Sequence, residues 1–139
     1  MAAPRLLVVP GGTTIGAVAL ANASIHKLVE LYEERQADPN HPAPHTVVIL
    51  RAPGDVPPAT LRGSAVTPED AFPAERHPGL AEAINADANF FDGIDLVVPT
   101  SGSSAGTPRL VGLSIDALIA SAKATELALD GPGRWILAL

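Results

Sequence analysis

With 139 residues, 47% of them hydrophobic, the chain can bury about two-thirds of its unfolded surface around one core. The formal net charge of −6 argues against a broad nucleic-acid-binding surface, so any polyphosphate would need a local site. The chain has no cysteine, which excludes disulfides and thiolate metal sites and is compatible with a cytoplasmic protein. No metal site is predicted, because the four histidines show no ligand spacing and are assigned to packing: His26, His41, His45 and His77.

The first apolar run, Leu6 to Val9, predicts a strand. The segment from Pro10 to Thr14 interrupts this run, so neither a signal peptide nor a membrane span is expected. The same segment is a candidate anion loop, second to the one at residues 100–109 described below, since it precedes a helix N-terminus. Its glycines are equally explained by the backbone of a tight turn.

A helix is predicted from the N-cap at Thr13 or Thr14 to about Arg35. Leu28, Leu31 and Tyr32 share its apolar face, and charged residues occupy the opposite side. The β-branched run Thr46 to Leu50 predicts a strand beside the first one, which gives a right-handed β-α-β unit.

Residues 52–79 contain six prolines and predict a proline-rich surface excursion without a long helix. A helix from about Leu80 to Phe90 follows, with Leu80, Ile84 and Phe91 facing inward, and then a strand from Ile94 to Val98. We assign no catalytic role to the ionisable residues of the excursion: Asp55, Glu69, Asp70, Glu75, Arg76 and His77.

The segment Thr100-Ser-Gly-Ser-Ser-Ala-Gly-Thr-Pro-Arg109 is the strongest candidate site. Glycines allow close approach of the backbone to an anion, and the hydroxyls and Arg109 add donors and charge. The segment is not a Walker A loop, because no Gly-Lys-Ser/Thr follows and the next residues, Leu110 to Leu113, predict a strand. A Ser/Gly surface turn is the alternative interpretation.

The chain continues with a helix from Ile115 to Leu129, capped by Ser114 and with Asp116 in its first turn. Asp130-Gly131-Pro132-Gly133 ends the helix, and residues 134–139 predict a last strand. Because the chain stops inside an apolar strand, we expect a domain truncated at its C-terminal end.

Residues 100–109 resemble the phosphate-binding signature T-S-G-S/T-T-G-x-P-K of the adenylate-forming (AMP-binding) superfamily of acyl-CoA ligases. The following helix and the run Gly131-Pro-Gly-Arg-Trp-Ile-Leu-Ala-Leu139 resemble one branch, the actinobacterial o-succinylbenzoate-CoA ligases of menaquinone synthesis. The loop differs from the signature in holding one residue more, with Ala105 as the simplest insertion, and in ending with Arg109 instead of lysine.

The resemblance implies a ligase that uses ATP, Mg²⁺ and coenzyme A to activate o-succinylbenzoate. It also implies that the chain supplies only the phosphate loop and is inactive alone, with no catalytic residue of its own. The residues that would bind the ATP phosphates are Thr100, Ser101, Gly102, Ser103, Ser104, Gly106, Thr107 and Arg109.

The order of elements predicts an α/β fold for residues 1–139, a single domain or subdomain whose mostly parallel sheet is flanked by helices. The strands on either side of residues 100–109 are expected to be antiparallel. A truncated edge would favour self-association or a homo-oligomer. Two alternatives stay open: a non-catalytic α/β binding or interaction domain, and a ligase of the same superfamily acting on another carboxylic acid.

Overall fold

The computed structural model of the protein describes residues 3–40, 44–55, 64–100 and 109–133. Helices cover both faces of a five-stranded sheet, which confirms the predicted α/β fold class. The predicted last strand, residues 134–139, lies outside the described residues. In chain order the elements are β1 (Arg5–Val9), α1 (Ile15–Ala37), β2 (Thr46–Leu50), β3 (Ala65–Val66), α2 (Pro68–Ala71), α3 (Leu80–Ala86), β4 (Leu96–Pro99), β5 (Leu110–Leu113) and α4 (Ile115–Ala128).

The sheet has the strand order β3-β1-β2-β4-β5. Its three middle strands are parallel, with β1 paired to β2 from Arg5 opposite Thr46 to Val9 opposite Leu50. The two edge strands run antiparallel to their neighbours. The predicted parallel pairing of β1 with β2 and the antiparallel pairing around residues 100–109 are therefore both confirmed.

Two hydrophobic clusters lie on opposite faces of the sheet because successive side chains of a strand alternate in direction. Val47 and Ile49 of β2 pack toward α2 and α3, whereas Val48 packs toward α1 and α4. Four of the five residues of β2 are buried, as expected for a parallel strand covered by helices on both faces.

Both long helices begin at their predicted caps. The Thr14 hydroxyl accepts a hydrogen bond from the Ala17 amide at 3.2 Å, and the Ser114 hydroxyl accepts one from Ala117 at 3.1 Å. On the face of α1 that meets the sheet, Leu28 is buried and Tyr32 packs beside it, as predicted. No helix in the described part of the chain is long and apolar enough to cross a membrane.

The proline-rich segment contributes to the core in its second half. Ala65 and Val66 pair with β1, and Thr67 caps α2 by accepting a hydrogen bond from the Asp70 amide at 3.2 Å. Phe72 is 2% exposed and stacks on Phe91 with ring centroids 6.5 Å apart. The surface-excursion prediction did not include this buried part, and residues 56–63 lie outside the described residues.

Helix α3 is shorter than predicted, because it ends at Ala86 and not near Phe90. The side-chain carboxylate of Asp87 accepts a hydrogen bond from the Asn89 backbone amide at 2.9 Å. The backbone carbonyl of Asp87 accepts one from the Phe90 amide at 3.1 Å. These local bonds form a turn that replaces the next helical turn. Ile84 and Phe91 are nevertheless buried, as predicted.

A buried carboxylate, Asp95, links the start of β4 to three other elements. Its Oδ2 accepts a hydrogen bond from the first amide of α4, Ile115, at 2.9 Å. Its Oδ1 lies 3.4 Å from His45 Nε2, at the start of β2, and 3.7 Å from the Arg35 guanidinium near the end of α1. Asp95 therefore fixes where α4 begins relative to the sheet.

We expect Asp95→Ala to lower the free energy of unfolding by about 1–3 kcal/mol, because the buried Ile115 amide loses a charge-assisted acceptor. Urea denaturation followed by circular dichroism measures the change. The matched control is Asp92→Ala, whose carboxylate is exposed nearby and should change stability by less than about 0.5 kcal/mol. Equal effects of the two substitutions would contradict the role assigned to Asp95.

Candidate functional site

The carboxyl ends of β1, β2 and β4 lie at the same edge of the sheet, since these strands are parallel. Ligands of open α/β sheets bind outside this edge. Two cavities open there, one of about 310 Å³ next to α2 and one of about 390 Å³ next to α1. Both are lined by Leu50, Arg51 and Pro99, so they meet where β2 and β4 end.

The predicted phosphate loop begins and ends at this edge. The Thr100 amide donates a hydrogen bond to the Arg109 carbonyl at 2.7 Å, and the Thr100 hydroxyl donates one to the same carbonyl at 3.2 Å. The structure thus brings together the two ends of the segment. The other predicted phosphate-binding residues lie outside the described residues: Ser101, Gly102, Ser103, Ser104, Gly106 and Thr107.

Arg109 supplies an exposed cation at this end of the hairpin. Among the described residues, no carboxylate forms an ion pair with it. Leu110, the next residue, lines the cavity of about 310 Å³, as does Pro99 on the opposite strand. The hairpin therefore stands directly beside that cavity.

Arg51 was not among the predicted site residues; it follows β2 directly and is only 7% exposed. Its Nη2 donates to the Asp70 carbonyl at 2.7 Å, and its Nη1 lies 3.4 Å from Asp55 Oδ2. Nε is buried and has no hydrogen-bond partner among the described residues. The available signal was a cation placed immediately after a buried strand, at the edge where ligands bind.

Three residues that were given no catalytic role from the sequence gather around Arg51. Arg76 Nη1 lies 2.8 Å from Asp55 Oδ2, so two guanidinium groups share one carboxylate. The His77 ring meets Phe72 edge to face, with centroids 5.9 Å apart. Burial lowers the pKa of His77, and the charges of Arg51 and Arg76 lower it further.

The remaining ionisable residues of the predicted excursion divide between this cavity and the surface. Glu75 is exposed and lines the cavity. The Glu69 carboxylate instead accepts a hydrogen bond from the side-chain amide of Asn85 at 2.6 Å. The Asp70 carboxylate accepts one from the Thr67 hydroxyl at 3.1 Å. Within the described ranges, no group of three or more side chains is arranged to hold a metal ion.

The glycine turn between β1 and α1 has a steric cause. A Cβ on Gly11 would clash with the Arg51 carbonyl oxygen, and Gly12 has φ +120°, which side chains rarely adopt. The Arg51 amide in turn donates to the Val9 carbonyl at 2.9 Å. The turn is therefore explained by its close contact with the chain that leaves β2.

The fold and the two cavities define an α/β protein with a crevice, lined by both cationic and anionic side chains, at the carboxyl ends of its parallel strands. The chain is 41% identical over 64 residues to a probable 2-succinylbenzoate–CoA ligase, found in two strains of Mycobacterium tuberculosis. The match covers 46% of this chain and 16% of the length of each relative. No protein-family model matches the chain, and no solved structure matches it significantly.

The contact at Gly11 predicts opposite effects for two glycine substitutions. We expect Gly11→Ala to lower the free energy of unfolding by about 1–3 kcal/mol, because the new methyl group displaces the Arg51 backbone. Gly16→Ala, in α1 where nothing lies within 4 Å of the new atom, should raise it by roughly 0.5–1 kcal/mol. Thermal and urea denaturation of the two variants measure both changes, and a neutral Gly11→Ala would refute the close contact.

Proposed function

We propose that this chain forms the N-terminal part of an adenylate-forming acid–CoA ligase, in which residues 100–109 bind the phosphates of ATP. The observation that carries the proposal is the 41% identity over 64 residues with a probable 2-succinylbenzoate–CoA ligase. The name of this relative, together with the resemblance of residues 100–139, supports o-succinylbenzoate as the acid and menaquinone biosynthesis as the pathway.

The position of the hairpin supports a phosphate-binding role. Residues 101–108 are joined at their base by Thr100 and Arg109, at the sheet edge where ligands of α/β folds bind. Both hydrogen-bond donors of Thr100 contact the Arg109 carbonyl, so we assign Thr100 to closing the loop. Arg109 contributes charge, in the position where the superfamily has lysine.

The proposed phosphate ligands are the backbone amides and hydroxyls of the loop. Charge develops on the pyrophosphate leaving group in the transition state, and donors already aimed at it lower the barrier. By the resemblance, this role falls to Ser101, Gly102, Ser103, Ser104, Gly106 and Thr107.

The proposed reaction has two steps. An oxygen of the acid carboxylate attacks the α-phosphorus of ATP, and the bond to pyrophosphate breaks to leave an acyl-adenylate. The thiolate of coenzyme A then attacks the acyl carbon, and AMP leaves with the electrons of the broken C–O bond. The described residues include no cluster that fits a metal ion, so we derive no step through Mg²⁺.

Most of the proposed enzyme corresponds to sequence outside the match, which covers 16% of the relative's length. We therefore expect the 139-residue chain to bind pyrophosphate weakly and to form no thioester from ATP, coenzyme A and o-succinylbenzoate.

Arg109→Ala should weaken pyrophosphate binding by about fivefold, because a phosphate loses one charge-assisted contact worth ~1 kcal/mol. Isothermal titration calorimetry of the 139-residue chain measures the affinity. Arg5→Ala is the matched control, since Arg5 is also exposed but lies at the amino end of β1, on the opposite edge of the sheet. Equal affinities for the two variants would contradict the proposed loop.

A further inference from the structure

The chain contains two Asp-Gly pairs, Asp92-Gly93 and Asp130-Gly131. Such a pair can rearrange without an enzyme, because glycine has no Cβ to hinder its backbone nitrogen from approaching the preceding carboxyl group. In a folded protein the reaction also requires that the pair is exposed and that the glycine amide is free to turn. The two pairs differ in both respects.

Asp92 and Gly93 form the tip of an exposed turn. The Ile94 amide donates a hydrogen bond to the Phe91 carbonyl at 2.9 Å, which closes the turn, and Gly93 has φ +72° within it. Both residues of the pair are exposed. No backbone carbonyl of the described residues accepts a hydrogen bond from the Gly93 amide. The nitrogen of this pair is therefore accessible in the folded chain.

The second pair follows α4 and is held differently. The Gly131 amide donates a hydrogen bond to the Glu126 carbonyl at 2.8 Å. This bond has to open before the nitrogen can turn toward the Asp130 carboxyl group. Gly131 is also half-buried, whereas Gly93 is exposed. The same dipeptide thus lies in two environments, and only the second one restrains its nitrogen.

We propose that Asp92 is a site of spontaneous isoaspartate formation, and that the folded chain protects Asp130 from the same reaction. The Gly93 nitrogen attacks Cγ of the protonated Asp92 carboxyl group, and the hydroxyl leaves with the amide proton as water, which closes a succinimide ring. Water then adds to one of the two ring carbonyls. Addition at the original backbone carbonyl breaks its bond to the Gly93 nitrogen and leaves the chain running through Cγ. Addition at Cγ restores aspartate, so no oxidant, reductant or cofactor is required.

Isoaspartate at this position lengthens the main chain by one carbon atom inside the turn. The hydrogen bond from Ile94 to Phe91 then spans a longer loop and loses its geometry. Phe91 is buried and stacks on Phe72, whereas Asp95, three residues after Asp92, accepts the first amide of α4. Because the turn joins these two fixed points, we expect the modified chain to be less stable. This inference is independent of the proposed phosphate loop.

The test is to age the folded 139-residue chain at neutral pH and to quantify isoaspartate at each pair by peptide mapping and by methylation with an isoaspartyl methyltransferase. Isoaspartate should form at Asp92 about fivefold faster than at Asp130, because the Gly131 amide first has to break its hydrogen bond. In urea, where neither pair is folded, the two rates should become similar. Equal rates in the folded chain, faster reaction at Asp130, or no reaction at Asp92 when both pairs react in urea would overturn the inference.

Asp92→Glu is the matched variant, because it keeps the charge of an exposed side chain but has to close a larger and less favourable ring. This variant should form no isoaspartate at the turn and should keep its urea midpoint on ageing. The aged wild-type chain should instead unfold at lower urea, in proportion to the fraction modified. Unchanged midpoints in both aged proteins, despite isoaspartate at Asp92 in the wild type, would contradict the effect assigned to the turn.

Discussion

The antiparallel pairing of β4 with β5 is the constraint on which the candidate phosphate loop depends. Four residue pairs, from Leu96 opposite Leu113 to Pro99 opposite Leu110, align the strands, and the hydrogen bonds between Thr100 and Arg109 close the hairpin. Because β4 also pairs with β2, the base of the loop is fixed to the middle of the sheet. The Asp95 carboxylate links α4 to β4, because it accepts a hydrogen bond from the first amide of the helix.

The candidate phosphate loop stands at the sheet edge, beside the cavity of about 310 Å³. The hairpin offers small hydroxyl and glycine residues with one exposed cation, Arg109, which suit a flexible polyphosphate. The cavity beside it is lined by two guanidinium groups, Arg51 and Arg76, and by two carboxylates, Asp55 and Glu75, together with apolar side chains. Because the chain has a negative net charge, a polyphosphate would have to be held by local donors and cations.

Features set by short-range signals could be predicted from the sequence. Thr14 and Ser114 were identifiable as caps, since a hydroxyl before an apolar run commonly accepts the amide three residues later. The β-branched run of β2 matched its observed range. The predicted end of α3 near Phe90 was wrong, because the Asp87 side chain forms a turn that competes with the helix.

Features that depend on distant partners could not be predicted in the same way. Arg51 contacts the Asp70 carbonyl and Asp95 contacts the Ile115 amide, each about twenty residues away in sequence, and no local pattern gives these pairs.

An NMR titration of the chain with pyrophosphate tests directly whether residues 100–109 bind phosphate. We expect the largest amide shifts on residues 101–107, with a smaller change at Arg109. Shifts elsewhere with none in this segment would show that it is a surface turn.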